Sequence, residues 1–151
     1  VANCTVTRAI ELARTGTASA ISGNSFIGNA ASDALVVCDY SPVALSSNAF
    51  LANTGTLVRA IAPRTATFDS NTFALNSCPL SCVLLGDPSS QSNTLKITSE
   101  HWSSFALTGG ANAVAFMSVS SFSAISVQSS NWTVNSPFAV FAASKCGTFV
   151  M

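Results

Sequence analysis

Five short stretches of this chain share one pattern. They are Ser19-Ala-Ile-Ser-Gly-Asn-Ser-Phe26, Val43-Ala-Leu-Ser-Ser-Asn-Ala-Phe50, Ala66-Thr-Phe-Asp-Ser-Asn-Thr-Phe73, Leu95-Lys-Ile-Thr-Ser-Glu-His-Trp102 and Ile125-Ser-Val-Gln-Ser-Ser-Asn-Trp132, and their first residues fall 24, 23, 29 and 30 positions apart. A period of roughly 20–50 residues implies stacked units, because one unit alone cannot bury its apolar side. Within each stretch the apolar positions alternate (Ile21, Val43 and Leu45, Ala66 and Phe68, Leu95 and Ile97, Ile125 and Val127), which is the period of a strand. The residues between them, Ala20, Ala44, Thr67, Lys96 and Ser126, suit a solvated face. Three positions past each aromatic come Asn29, Asn53, Asn76, Phe105 and Asn135. Asn tolerates left-handed backbone, so this column is expected to form a repeated corner.

A second strand follows in each unit. Thr5-Val-Thr-Arg-Ala-Ile10 closely matches Thr56-Leu-Val-Arg-Ala-Ile61, and Ala34–Asp39, Cys82–Asp87, Ala113–Ser118 and Phe138–Ala143 take the same place elsewhere. Short strands, polar corners and insertions of varying length predict an all-β chain, a single parallel β-helix segment over residues 1–151, with about six coils. At roughly 4.8 Å per coil the rod is about 25–30 Å long. A propeller blade needs about 40–45 residues, more than these units hold. Gly86–Asn93 and Leu107–Asn112 are expected to leave the rod at its corners.

Only 8% of the residues are charged, and the six basic and six acidic groups cancel. That balance gives no electrostatic footing for nucleic acid. No apolar run approaches the roughly 18 residues of a spanning helix, so no membrane insertion is expected. Of the five cysteines, Cys78 and Cys82 bound a short corner loop and are expected to form a disulfide. Structural zinc needs four ligands, usually as paired motifs, and no second pair exists. Glycosylation sequons at Asn3-Cys-Thr and Asn131-Trp-Thr, with the cysteines, point to an extracellular or cell-surface setting. The apolar run Gly147–Met151 and the absence of an initiating Met suggest part of a longer chain.

The spacing Ile-x-x-Asn-x-Phe-x-x-Asn at Ile21, Asn24, Phe26 and Asn29, repeated at Leu45/Asn48/Phe50/Asn53 and Phe68/Asn71/Phe73/Asn76, resembles the right-handed parallel β-helix repeat of pectate-lyase-like proteins. The fourth unit departs from it with Glu100, Trp102 and Phe105, and the fifth at Ser130. The resemblance implies a right-handed coil but not one activity, because the family includes lyases, hydrolases, tailspikes and adhesins. The Ala-, Ser- and Val-rich, charge-poor texture is similar to that of very large protist surface and flagellar-hair proteins.

Catalysis on sugars by paired carboxyls needs two acids about 5–9.5 Å apart. Asp39 and Asp87 end equivalent strands but Ile61 lies between them, and Asp69 and Glu100 fall in different columns. His101 neighbours an inward Trp102 and so should point outward. No catalytic, cofactor-binding or metal-binding residue is assigned. The column Phe26, Phe50, Phe73, Trp102 and Trp132 reads as an internal ladder, since stacked rings bury large apolar area in every coil. Ice binding would need a flat hydroxyl face, which Lys96 and Asp69 interrupt.

The second strand is apolar on both alternating sets. Arg59 marks one set as outward: Leu35 and Val37, Leu57 and Arg59, Val83 and Leu85, Val114 and Phe116, and Phe141. A strand apolar on both faces is covered on both faces. Either an insertion loop folds over this stripe or another chain covers it. The second option makes the protein a structural or adhesive segment that packs laterally or end to end, with other chains or flanking coils as partners. A carbohydrate-active or carbohydrate-binding β-helix is the alternative, with glycans as partners.

Overall fold

The computed structural model describes residues 1–13, 19–86, 94–133 and 139–151. Three parallel sheets wind into a β-solenoid of about five turns. The first sheet stacks Ser19–Ser22, Val43–Ser46, Thr65–Asp69, Thr94–Thr98, Ala124–Gln128 and Thr148–Val150 in chain order. The second stacks Ser25–Ile27, Ala49–Leu51, Thr72–Ala74, His101–Ser103 and Asn131–Thr133. The third holds nine strands: Thr5–Val6, Ile10–Ala13, Ala30–Asp39, Thr54–Ile61, Ser77–Cys78, Val83–Gly86, Ala106–Leu107, Ala115–Ser120 and Ala139–Ser144. The only helical turn among the described residues is the 3-10 turn Gly110–Asn112, inside the Leu107–Asn112 excursion. Asp87–Asn93 lies outside the described residues.

Alternation sets the registry of the first two sheets. Ile21, Leu45, Phe68, Ile97 and Val127 pair coil to coil and face inward. Phe26, Phe50, Phe73, Trp102 and Trp132 form the adjoining column. Phe26, Phe50 and Phe73 stack face to face at 4.8 Å between successive centroids. Trp102 then turns edge-on to Phe73, at 84° and 6.0 Å, and Trp132 stacks on it at 4.8 Å.

Among the described residues the corners are made by single residues with left-handed backbone, and, Asn3 apart, these are not the asparagines. Gly28, Ala52, Leu75 and Ser104 take positive φ between the second and third sheets, and Gly23, Ser47, Ser70, Ser99 and Ser129 between the first and second. Tyr40, Ala62, Ser121 and Lys145 do so between the third and first. The asparagine comes one residue later and, from Asn29 to Asn76, turns inward. A side chain in this region of φ costs about 1 kcal/mol or more. Behind Ser47, Ala52, Ser70 and Leu75 the hydrogen bonds of the following asparagine offset that strain.

The third sheet corrects the expected assembly face. Ala30 pairs with Thr54 and Val36 with Val58, so the two coils span the same arc with different numbers of residues. Leu57 N and Val58 N both donate to Cys82 O, at 2.8 and 3.2 Å. The chain bends there, and two consecutive residues turn inward together. Leu35/Val36, Leu57/Val58, Cys82/Val83 and Phe116/Met117 all enter the core, as does Leu85. Strict alternation assigned Leu35, Leu57, Val83, Leu85 and Phe116 to the outside; the bend brings in Leu35, Leu57 and Phe116, while Val83 and Leu85 pair with inward Val58 and Ala60, one position from the register expected. The outer column reads Glu11, Val37, Arg59, Leu84 and Ser118. Val114 is 50% exposed, in the loop before Ala115–Ser120, and Phe141 packs half-buried against the core. The likeness of Thr5–Ile10 to Thr56–Ile61 is also out of register, because Ile10 shares its column with Val36 and Val58.

Candidate functional site

Two arrangements of polar groups stand out, one outside the coil and one within it. The outer one sits on the third sheet. Arg8 donates to Asp33 through Nε (2.7 Å) and to Glu11 through Nη1 (2.7 Å). Arg59 donates to the other oxygen of Asp33 and, through Nη2, to Asp39 at 3.2 Å. Asp39 also accepts from Ile61 N at 3.1 Å. The hydrogen bonds that Arg8 donates to Asp33 and Glu11 raise its pKa above its usual value. Val37 is buried in the same column as Glu11 and Arg59, beneath this network rather than in the core cluster. Beside Arg59 the face dips into a depression of about 260 Å³ lined by Arg59, Ile61, Leu84, Gly86, Ser118 and Ser120. Gly86 creates it by lacking a side chain between Ile61 and Ser120. Arg59 Nε is buried and has no partner among the described residues. Asp39 shares its column with Ile61 and Gly86, and Asp87 falls outside the described residues.

The inner arrangement is a pair of amide ladders. In one, Asn29 N donates to Asn53 Oδ1 and Asn53 N to Asn76 Oδ1, both at 2.9 Å. In the other, Asn24 N donates to Asn48 Oδ1 (3.0 Å) and Asn48 N to Asn71 Oδ1 (2.9 Å). Each side-chain amide also donates back to a main-chain carbonyl: Asn48 to Ile21 O, Asn71 to Leu45 O, Asn53 to Phe26 O and Asn76 to Phe50 O. Acceptor and donor of one amide thus serve two buried backbone groups, which explains why the residue repeats.

Glu100 occupies the next rung of the second ladder. Its Oε1 accepts from Asn71 N (3.0 Å) and Asn71 Nδ2 (2.8 Å), and its Oε2 accepts from Trp102 Nε1 (3.2 Å). The residue is 1% exposed. Burial pushes its pKa up to about 7, against the opposing pull of the Asn71 and Trp102 donors. The following rung is Ser130, whose hydroxyl accepts from Glu100 N at 3.3 Å and donates to Gln128 O. A hydroxyl there is too short to reach the indole as Glu100 does, and Trp132 Nε1 is buried without a partner among the described residues. Sequence reading treated Glu100 as a departure from the pattern and missed that it is a buried acid; its position on an asparagine rung was the available signal.

The remaining residues of interest are spread over the rod. Cys78 and Cys82 form a disulfide, while Cys4, Cys38 and Cys146 are free. Burial and neighbouring Asp39 push the Cys38 thiol up to about 12, so it is inert as a nucleophile. His101 is exposed on its strand, and so are Asn3 and Asn131. No group of three or more potential metal ligands occurs among the described residues, and no helix there is long and apolar enough to cross a membrane. No family model, no curated protein and no solved structure matches the chain.

Proposed function

We propose that this chain is a non-catalytic structural segment of an extracellular or cell-surface β-helical protein, and that it acts by end-to-end stacking of coils. The observation that carries this reading is the edge formed by Asn131–Thr133, Ala139–Ser144 and Thr148–Val150. Among the described residues each of these strands pairs with a neighbour on one side only. Phe149 and Val150 are 42% and 53% exposed there, beside half-buried Trp132 and Phe141. The occupant that suits three parallel edges lined by exposed Phe149 and Val150 is another β-coil. Lateral packing through the third sheet loses most of its support, because Leu35, Leu57, Val83, Leu85 and Phe116, expected in that stripe, lie in the core. The disulfide, together with exposed Asn3 and Asn131 in sequons, supports an oxidising, glycosylating setting.

Light scattering across a concentration series tests the reading. Elongated, concentration-dependent oligomers are expected, with loss of association on Phe149→Lys plus Val150→Lys, because edge lysines block strand addition. Identical monomeric behaviour of both proteins at every concentration would overturn it.

The depression beside Arg59 favours a second reading, a glycan-binding surface. An apolar floor at Ile61 and Leu84 with Arg59, Ser118 and Ser120 around it has the makeup of a small polar-ligand site. Glycan-array binding that vanishes on Gly86→Phe, with the fold kept, is the expected outcome for that reading.

A further inference from the structure

The second ladder joins its coils through neutral amides until Glu100, where an acid takes the same place. Asn48 and Asn71 each accept from the preceding coil and each donate to a carbonyl, Ile21 O and Leu45 O. By the repeat, the carbonyl facing Glu100 is Phe68 O, which shares a column with Ile21 and Leu45. An ionised carboxyl can accept from Asn71 and Trp102 but has no hydrogen to offer Phe68. A protonated one can do both. No cation among the described residues offsets a charge here. Lys96 and His101 on the same coil are exposed, and Asp69 on the preceding coil adds repulsion. Gln128 and Ser130 on the following coil carry no charge, nor do Phe73, Phe116 and Met117 of the adjoining core. A buried charge without a counter-ion is costly.

We propose that Glu100 makes the seam between the Asn71 coil and the Trp102 coil a proton-responsive joint, closed when the acid is neutral and loosened when it ionises. The joint is independent of what meets the ends of the rod.

The direction of the effect follows from linkage. The folded pKa, about 7, lies above the ordinary 4.5, so the folded state holds the proton more tightly. Stability is therefore fully present below about pH 4.5 and falls as pH rises toward 7. The loss is on the order of a hundredfold in the folding equilibrium constant.

The test has three arms. Carbon-13 NMR of the Glu100 carboxyl in the unaltered protein should show titration near neutrality; titration in the ordinary carboxylate range overturns the proposal. Urea midpoints between pH 5 and 8 should fall for the unaltered protein and stay flat for Glu100→Gln, or for Glu100→Asn with Trp102→Phe if the glutamine variant does not fold. A slope that survives either change overturns it. Hydrogen exchange should localise the loosening. The His101 amide, bonded to Asn71 O at 2.9 Å, should lose protection at high pH, while the Ala49 amide, bonded to Asn24 O at 2.8 Å, should keep it. Equal loss at both seams counts against a local joint.

Discussion

Two halves of this rod solve one problem differently. From Asn24 to Asn76 the coils are nearly interchangeable: Phe stacks on Phe within 6° of parallel, and asparagine follows asparagine. From Glu100 onward the rungs are an acid and a hydroxyl, the rings are indoles, and Phe105 stands where an asparagine stood. Phe116 fills the altered space, meeting Phe73, Trp102 and Phe105 within 5.6 Å between centroids. The first half satisfies its buried backbone with side chains that carry no charge. The second packs two indoles with Phe105 and Phe116 and leaves Thr98 Oγ1 and Trp132 Nε1 without partners among the described residues. Uniform rungs give a seam indifferent to pH, and a substituted rung gives one that is not.

The largest expected effect is on the regular half. Asn71→Ala strands Asn48 N, Asn48 Nδ2, Leu45 O and one oxygen of Glu100, and should cost about 4 kcal/mol by urea melts. Ser130→Ala, on the same column, should cost less than about 1 kcal/mol; equal losses would erase the contrast between the halves. Making the second half resemble the first, by Glu100→Asn with Trp102→Phe, should gain about 2 kcal/mol at pH 8 and close to nothing at pH 5. Trp132→Phe removes a buried unpaired donor and should gain about 1 kcal/mol, read as a rise in Tm. The smallest effect is at a corner. Leu75 is 66% exposed with φ of 57°, so Leu75→Gly relieves backbone strain with little packing loss and should gain a few tenths of a kcal/mol to about 1.

The aromatic column and the alternation of the first strand were legible because both are local and periodic. Ile21, Leu45 and Phe68 sit at fixed distances from the ring that follows them, and the coils keep that spacing. The third sheet was not legible in this way. Its arc lengthens and shortens from coil to coil, through Pro79–Cys82 and Thr108–Val114, so the phase of alternation carries no fixed meaning there. Arg59 does face out, but Leu57, two residues before it, faces in, because the bend falls between them. The asparagines were read as corner residues on their tolerance of left-handed backbone. The neighbour before each of Asn29, Asn53 and Asn76 takes that conformation instead, and the amide is used for its paired donor and acceptor; Asn135 lies outside the described residues.

What the amino-acid sequence determined alone was the repeat, and with it the strands, the stacked rings and the disulfide-bounded corner, all of which depend on residues close along the chain. What only the tertiary structure decided was which side of the third sheet is inside and what surrounds Glu100. Both depend on atoms brought together from coils 23 to 30 residues apart, where a bend or a missing counter-charge has no signature in any single stretch.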